Sequence, residues 1–351
     1  MQPLADPVDL ILLRESALLR ATDPVVVVDD QGGALVDGLV AQYGAGEVRV
    51  CCDALTDERA VVAAAGRRPQ VRVLPPGPEL WQDVRGVVVR LPKGLAALDE
   101  TAEAVARWAD PSVQVLAGGR VKHMNRSMND VLSRHFESVR GSLGAQKSRV
   151  LIATGTRPPG EFRYPLSAVD DELDVTVCAH GAAFAGPSVD LGTRYLLSFR
   201  DSFPASARQV VDLGCGTGVL AVLAARTLPH AQVLALDESR AAVLSAVATT
   251  EANGVADQVE VRRTHLSEGV PDASVDLVLC NPPFHRGNTR DSAVAFEMFA
   301  DAARVLAAGG ELWAVYNSHL PYLRALRRLV GRTDVVGQNP AYTVTRSVRS
   351  T

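Results

Sequence analysis

The stretch QVVDLGCGTGVLAVLAA, from Gln209 to Ala225, determines how the rest of the chain is interpreted. An apolar run leads into a glycine-rich turn and then into a helical pattern, which predicts a strand, a loop and a helix. Glycine permits a tight turn and lets a ligand approach the backbone closely. The loop carries glycines at every second position, with an acid two residues before the first of them: Asp212, Gly214, Gly216 and Gly218.

The spacing of these glycines favours one kind of nucleotide site over two others. A dinucleotide fingerprint has the pattern GxGxxG, whereas this loop has GxGxG. The loop also lacks the Lys and Ser/Thr that complete a phosphate-binding loop. An adenosyl cofactor without phosphate therefore fits best, and Asp237, at the end of the next strand, can accept hydrogen bonds from both ribose hydroxyls. The alternative for Asp237 is an ordinary charge at a helix N-terminus.

Strands and helices alternate along the C-terminal half of the chain. Five such strands are followed by a predicted hairpin around Asn339 and Pro340. This alternation predicts an α/β fold with a doubly wound, seven-stranded sheet whose final hairpin is antiparallel.

The N-terminal half repeats this order more weakly. VVVVDDQGGALVDGL, from Val25, matches VVDLGCGTGVLAVL in outline, and VVVRLPKG takes the place of LVLCNPPF. The spacing from Asp29 to Asp53 is 24 residues, against 25 from Asp212 to Asp237. We infer two tandem copies of one Rossmann-like fold, the first degenerate. Chance similarity between two α/β domains is the alternative.

The segment TGTRPPGEFRYP breaks regular structure between the two copies. We therefore expect a degenerate first domain at residues 1–150, a linker at 151–165 and a cofactor-binding domain at 166–351.

The glycine loop and its spaced acid resemble those of S-adenosylmethionine-dependent methyltransferases of the Rossmann-like class. The resemblance implies that the loop glycines line the cofactor and that Asp237 binds its ribose. It implies that Asp212 orders the loop or meets the cofactor's amino group through water. Residues after the third strand, here His265 and Leu266, would flank the adenine, although the family often has an acid where this chain has His265.

The turn LCNPPFH, Leu279 to His285, follows the fourth strand of this half. Its two prolines fix the backbone and remove two donors. The Asn281 side-chain oxygen and the Pro282 carbonyl can then hold an exocyclic amine and aim its lone pair at a methyl donor. Phe284 can stack on a flat base, worth about 1–3 kcal/mol, and a base in a duplex would first be flipped out. The alternative is a turn without function.

Several segments resemble the bacterial ribosomal RNA guanine-N2 methyltransferases: LCNPPFH, EMFADAARVL, GGELWAVYNSHLPYL and VDLGTRYLL. In that family two methyltransferase-like domains stand in tandem, and only the second binds cofactor. LPKGLAALDE and GGRVKHMNRS are similar to the large-subunit (23S) group more than to the small-subunit (16S) group. The resemblance implies N2-methylguanosine in ribosomal RNA as the product, and it implies that Thr193 and Asn281 lie near the cofactor.

Basic residues are concentrated in the middle of an acidic chain. The formal net charge is −4, yet nine Lys and Arg residues stand against three acids between Gly118 and Tyr164. Such a patch favours contact with a polyanion, and a solvated helix face is the alternative. We expect the first domain to dock ribosomal RNA, or a ribosomal subunit precursor, through Lys93, Arg120, Lys122, Arg126, Arg134 and Arg140. Lys93 is expected at the place of the substrate asparagine.

Composition excludes several other classes of protein. The chain has 351 residues, 47% of them hydrophobic, but no aliphatic run of membrane-spanning length. Its N-terminus lacks the pattern of a secretion signal, and its five cysteines form no CxxC pair. We expect a cytoplasmic, monomeric enzyme without a metal site and without membrane contact.

Three hypotheses for function follow. The first is an S-adenosylmethionine-dependent enzyme making N2-methylguanosine in ribosomal RNA, with 23S favoured over 16S. The second is a methyltransferase that uses the same turn on adenine N6 or on a protein glutamine; the glutamine-modifying relatives usually have Tyr at the position of Phe284. The third is a non-catalytic RNA-binding assembly factor, which would have no need of the loop, the acid and the Asn-Pro-Pro turn together.

Overall fold

The computed structural model describes residues 6–20, 23–44, 46–66, 68–283 and 289–350. The chain divides into two compact units, Met1–Tyr164 and Pro165–Thr351. The predicted end of the first domain at residue 150 falls inside a strand, Ser148–Thr156, that pairs with two other strands of the first unit. This strand continues because Leu151 and Ile152 are buried in the core of that unit. The predicted linker at 151–165 therefore begins too early.

The first unit alternates short strands and helices, with one 3₁₀ turn at Val121–His123 before its last helix. Its elements are α1 (Pro7–Ser16), β1 (Val25–Val28), α2 (Ala34–Tyr43), β2 (Val48–Cys51), α3 (Leu55–Ala65), β3 (Val71–Val73), α4 (Pro78–Trp81), β4 (Gly86–Arg90), α5 (Leu95–Trp108), β5 (Gln114–Arg120), α6 (Arg126–His135), β6 (Phe136–Gly141) and β7 (Ser148–Thr156).

The second unit begins with a small hairpin and then follows the same alternation, with a 3₁₀ turn at Arg200–Ser202. Its elements are β8 (Leu166–Asp170), β9 (Val175–Ala179), α7 (Leu191–Leu197), β10 (Gln209–Leu213), α8 (Val219–Thr227), β11 (Gln232–Asp237), α9 (Arg240–Ala252), β12 (Val259–Arg263), β13 (Val275–Cys280), α10 (Thr289–Val305), β14 (Leu306–Asn317), α11 (Tyr322–Leu329), β15 (Gly331–Gln338) and β16 (Tyr342–Arg349).

The two large sheets have the same strand order. Across the sheet it is β3-β2-β1-β4-β5-β7-β6 in the first unit and β12-β11-β10-β13-β14-β16-β15 in the second. In the two large sheets, strands β1–β5 and β10–β14 are parallel. Strands β7 and β16 each run antiparallel to both of their neighbours. The predicted fold, tandem seven-stranded sheets with antiparallel final hairpins, is confirmed. The separate hairpin of β8 and β9 was not predicted.

The sheet of the second unit is buried on both faces. Alternate residues of β13 pack into different cores, Leu277 and Leu279 into one and Val278 and Cys280 into the other. Side chains of a strand point to opposite faces in turn, so two apolar layers cover the sheet. In such folds ligands bind outside the carboxyl ends of the strands. At this edge lie the glycine loop after β10, Asp237 at the end of β11 and Asn281 after β13.

Among the described residues, no helix combines the length and the apolar character needed to cross a membrane. In the same part of the chain, no group of three or more His, Cys, Asp or Glu side chains is arranged to hold a metal ion.

Candidate active site

The glycine loop lies at the carboxyl end of β10, directly before α8. The amides of Gly214 and Cys215 both donate to the Leu236 carbonyl, at 2.8 and 2.9 Å, which ties the loop to the neighbouring strand β11. Gly214, Gly216 and Gly218 all have positive φ, at 76°, 55° and 80°. Residues with a side chain rarely adopt this region, so the sequence pattern is explained by the backbone path.

Two of these glycines also differ in what surrounds them. A Cβ on Gly218 would lie 2.9 Å from the Cβ of Ala246, so this position is closed by the packing of α9. Apart from its chain neighbours, no described residue has an atom within 4 Å of a Cβ placed on Gly216. The loop is therefore packed at its end and open at its middle, as expected of a cradle for a ligand.

Asp237 at the end of β11 joins the loop to the next helix. Its Oδ2 accepts a hydrogen bond from the Gly216 amide at 3.0 Å, and its Oδ1 accepts one from the Ser239 amide at 2.9 Å. Ser239 in turn caps α9 by accepting from the Ala242 amide at 3.1 Å. The carboxylate is thus fixed beside the open part of the loop, and its contact with a ribose stays a prediction.

Asp212 is fully buried beneath the loop. Its Oδ2 accepts from the Ala221 amide of α8 at 3.0 Å, which orders the start of that helix. Its Oδ1 has no hydrogen-bond partner among the described residues. Burial, with a smaller contribution from the charge of Asp237, raises the pKa of Asp212 to about 7. Whether Asp212 orders the loop or meets the cofactor's amino group through water stays a prediction.

Asn281 follows β13, and its amide is held by two side chains. Nδ2 donates to Asp190 Oδ2 at 3.0 Å and to Thr193 Oγ1 at 2.9 Å. The side-chain oxygen Oδ1 is buried and has no partner within the described ranges. A buried acceptor without a donor costs folding free energy. Asn281 lies near the glycine loop, because β13 pairs with β10, the strand that precedes the loop. Phe284, predicted to stack on a base, lies outside the described residues.

Asp190 is a site residue that the sequence analysis missed. It is the N-cap of α7, and its Oδ2 also accepts from the amides of Gly192 and Thr193, at 2.9 and 3.1 Å. An acid just before the apolar pattern LGTRYLL is a helix-start signal. That signal predicts the cap, but it does not predict the contact with Asn281, which lies 91 residues further on.

The residues predicted beside the adenine follow β12. The Thr264 amide donates to the Asp237 carbonyl at 2.9 Å, so this segment is adjacent to the end of β11. His265 is partly exposed, and its Nδ1 lies 3.5 Å from Glu238 Oε2. Leu266 has a φ of 51° and packs against a core of the unit. The structure brings both residues near Asp237, while their contact with adenine remains a prediction.

The cysteines near the site are buried. Burial raises the pKa of the Cys215 thiol and of the Cys280 thiol. Reactive cysteines need a lowered pKa and access to solvent, so neither thiol is suited to act as a nucleophile.

The predicted RNA-binding residues of the first unit fall into two groups. Arg120 and Arg134 are engaged in ion pairs, with Asp6 at 3.5 Å and with Asp99 at 3.6 Å. The other four are exposed and form no ion pair with any described residue: Lys93, Lys122, Arg126 and Arg140.

Strand register corrects the placement of Lys93. Val28 of β1 pairs with Val89 of β4, and Leu213 of β10 pairs with Cys280 of β13. One residue further along, Arg90 in the first unit corresponds to Asn281 in the second. Lys93 was expected at the place of the substrate asparagine, but it lies three residues beyond that place.

This fold and this site define a class of protein, the Rossmann-like methyltransferases that use S-adenosylmethionine. The ribosomal RNA large subunit methyltransferase G of Streptomyces coelicolor is 37% identical to this chain over 335 residues, covering 93% of this chain and 88% of that protein. The chain therefore belongs to the ribosomal RNA large subunit methyltransferase G family.

Further comparisons agree with this assignment. The family described as "Methyltransferase small domain" matches residues 174–346, and "RLMG N-terminal domain" matches residues 5–157. The methyltransferase G of Stutzerimonas stutzeri is 32% identical, over 95% of this chain and 89% of that one. The fold is similar to that of the T. thermophilus 16S rRNA N2 G1207 methyltransferase, solved with AdoMet and guanosine, at a TM-score of 0.79 and 20% identity, over 98% of this chain and 92% of that one.

Proposed function

We propose that this enzyme methylates the exocyclic N2 of a guanine in large-subunit ribosomal RNA. The observation that carries the proposal is the buried Oδ1 of Asn281, a fixed acceptor without a donor among the described residues. An NH₂ group on a flat ring supplies such a donor. The acceptor selects an amine but does not distinguish the ring that bears it. The choice of guanine is supported by the resemblance of the motifs, and the choice of large-subunit RNA by the names of the curated relatives.

The second unit supplies the residues that would hold the cofactor. Gly214, Gly216 and Gly218 would line it, and Asp237 would bind its ribose. S-adenosylmethionine, when bound, supplies an electrophilic methyl group. Thr193, His265 and Leu266 are proposed neighbours of the cofactor by the same resemblance.

Asn281 and Pro282 would orient the amine. Asn281 Oδ1 and the Pro282 carbonyl each accept one N–H, which holds the nitrogen and directs its lone pair out of the base plane. Positioning of this kind accounts for much of the rate in well-aligned reactions, about 7–11 kcal/mol at most. The product ammonium is acidic, so its proton passes to water and no dedicated base is required.

Nucleoside mass spectrometry of ribosomal RNA from a deletion strain tests this proposal. The expected result is loss of one N2-methylguanosine from 23S RNA, restored by the wild-type gene but not by Asn281→Ala. Loss from 16S RNA, loss of N6-methyladenine, or unchanged RNA with an unmethylated protein glutamine would each overturn the proposed substrate. A phenotype restored equally by Asn281→Ala would favour a non-catalytic assembly factor.

The first unit is proposed to dock the RNA, in a monomeric enzyme that acts in the cytoplasm. Phosphate contacts supply affinity and register without reading sequence. Lys122, Arg126 and Arg140 are the best candidates, because they are exposed and no described acid pairs with them. Lys93 has the same character, whereas Arg120 and Arg134 would have to exchange an internal partner for a phosphate.

Charge reversal tests the docking role. The triple variant Lys122→Glu, Arg126→Glu, Arg140→Glu should weaken RNA binding and reduce the salt slope of log K by roughly 0.7–0.9 for each lost phosphate contact. Cofactor affinity should not change. A matched pair of exposed arginines, Arg20 and Arg208, provides the control reversal. An unchanged salt slope in the triple variant, or an equal loss in the control, would contradict docking at this patch.

A further inference from the structure

We propose that Asp190, together with Thr193, fixes the direction of the Asn281 amide and is a positioning residue for methyl transfer. This inference rests on the proposed function, because it concerns the group that would hold the substrate amine.

The contacts leave the amide one orientation. Asp190 Oδ2 accepts three N–H groups: from the Gly192 amide at 2.9 Å, from the Thr193 amide at 3.1 Å and from Asn281 Nδ2 at 3.0 Å. Thr193 Oγ1 lies 2.9 Å from the same Nδ2. A carboxylate only accepts hydrogen bonds. A flipped amide would therefore place Oδ1 against Asp190, oxygen against oxygen, and would present a donor to the substrate amine.

The side-chain oxygen of Asn281, Oδ1, indicates what the contacts with Asp190 and Thr193 are for. Both hydrogens of the Asn281 amide are used within the protein, while its oxygen is buried and finds no donor among the described residues. A structural asparagine would be expected to satisfy its oxygen as well. The frame thus keeps an acceptor in place for a donor that no described residue provides.

The first unit contains the same frame with different residues, which is an independent observation. Asp6 is the N-cap of α1, and Asp9 stands three residues after it, as Thr193 stands three residues after Asp190. Both side chains bind Arg90, the residue that strand register matches to Asn281. In both units the cap and the third residue after it therefore hold the matched side chain at the carboxyl end of β4 or β13. Only the second unit presents an acceptor there.

Two pairs of variants separate positioning from helix capping. Serine is also a good N-cap, but its hydroxyl is too short to reach Asn281 as well. Asp190→Ser should keep α7 and lower kcat by about 10²-fold, the cost of a small misplacement. Asp190→Asn keeps an acceptor oxygen in the same place and should lose clearly less. Thr193→Val should lower kcat by roughly tenfold, the loss of one hydrogen bond, and Thr193→Ser by less.

The measurement is single-turnover methyl transfer to RNA, with KM for RNA, cofactor affinity and melting temperature taken on the same preparations. A fall confined to kcat, with the order Asp190→Ser below Asp190→Asn, supports positioning. A kcat of Asp190→Ser equal to that of the wild type overturns it, as does a fall fully explained by weaker cofactor binding or unfolding. If Asp190→Ser does not fold, the Thr193→Val and Thr193→Ser pair decides in the same way. A wild-type enzyme that methylates no guanine would instead refute the proposed function.

Discussion

The two units have large sheets of the same strand order but differ at three places along the carboxyl edges of these sheets. Register matches Asp29 to Gly214, Cys52 to Asp237 and Arg90 to Asn281. Asp29 even keeps the left-handed backbone of its glycine counterpart, with a φ of 60° against 76°. The strand order is set by apolar packing and survives these changes. The chemistry depends on a few side chains at the strand ends, so it is lost when these side chains change.

The first unit offers a substrate amine the wrong partner. Arg90 is paired with the buried Asp9 and lies near Asp6. A guanidinium has five donors and no acceptor, so this position cannot hold an NH₂ group. We therefore expect the chemistry in the second unit, and the proposed RNA docking in the first. The following predictions test that division, beginning with the largest expected effect.

The largest expected effect is on the methyl-transfer rate. Asn281→Ala should lower it by about 10²–10³-fold, as the loss of one preorganised hydrogen-bonding group does elsewhere. Arg90→Ala should leave the rate of the folded enzyme unchanged. Single-turnover kinetics at saturating RNA and cofactor measure both. An equal loss in the two variants would mean that the first unit also takes part in the chemistry.

The next expected effect is on the stability of the first unit. Arg90→Met leaves the buried Asp9 carboxylate without its partner, which should cost about 3 kcal/mol of unfolding free energy. Urea denaturation measures this cost, and Asp9→Leu in the same chain should recover much of it. Arg72→Met provides the control, because Arg72 pairs with Glu47 and Glu79 at the surface of the same unit. A loss no larger than in this control would contradict a structural role for Arg90.

Cofactor affinity should distinguish Asp237 from its counterpart. Asp237→Ala should weaken S-adenosylmethionine binding by about 1.5–3 kcal/mol, the usual range for hydrogen bonds to a charged group. Asp237→Asn keeps one acceptor and should lose less. Cys52→Ala should have no effect, since the first unit is not expected to bind cofactor. Titration calorimetry decides, and an affinity unchanged in Asp237→Ala would remove this residue from the site.

The sequence was sufficient for the fold and for the loop because both depend on local patterns. A few residues of sequence are enough to predict alternating apolar strands, glycines with positive φ and a cap such as Ser239. Strand register cannot be predicted from such short stretches of sequence. The similar spacings from Asp29 and from Asp212 suggested that these two acids correspond, as do Asp53 and Asp237. The pairing of β1 and β2 instead matches Asp29 to Gly214 and Cys52 to Asp237.

The missed parts of the site depend on tertiary contacts. Asp190 meets Asn281 only because α7 packs on the same sheet, far along the chain from β13. The same reason explains the domain boundary: Gly155, with a φ of 72°, looks like the start of a loop but lies within β7. Pairing with β5 and β6 outweighs the local preference of glycine for turns.

A further expected effect is a pH dependence of stability, which both units share in different pH ranges. Burial raises the pKa of Asp29 to about 6 and that of Asp212 to about 7, from 3.8. A carboxyl whose pKa is higher in the folded state binds a proton on folding, so stability is greatest below 3.8 and falls as pH rises to the folded pKa. Above that pH the loss is complete and constant.

Replacing either acid with asparagine should therefore raise the melting temperature at pH 8 relative to the wild type, and much less at pH 4. Each kcal/mol corresponds to about 2–4 °C in a domain of this size. The gain should level off above about pH 6 for Asp29→Asn and above about pH 7 for Asp212→Asn, because each native carboxyl is half ionised at its pKa and largely ionised only beyond it. Asp171→Asn, at an exposed position, provides the control and should show no such rise. A gain that is already complete at pH 4 in either variant would show that the acid is ionised when buried, and that its partners compensate the cost of burial.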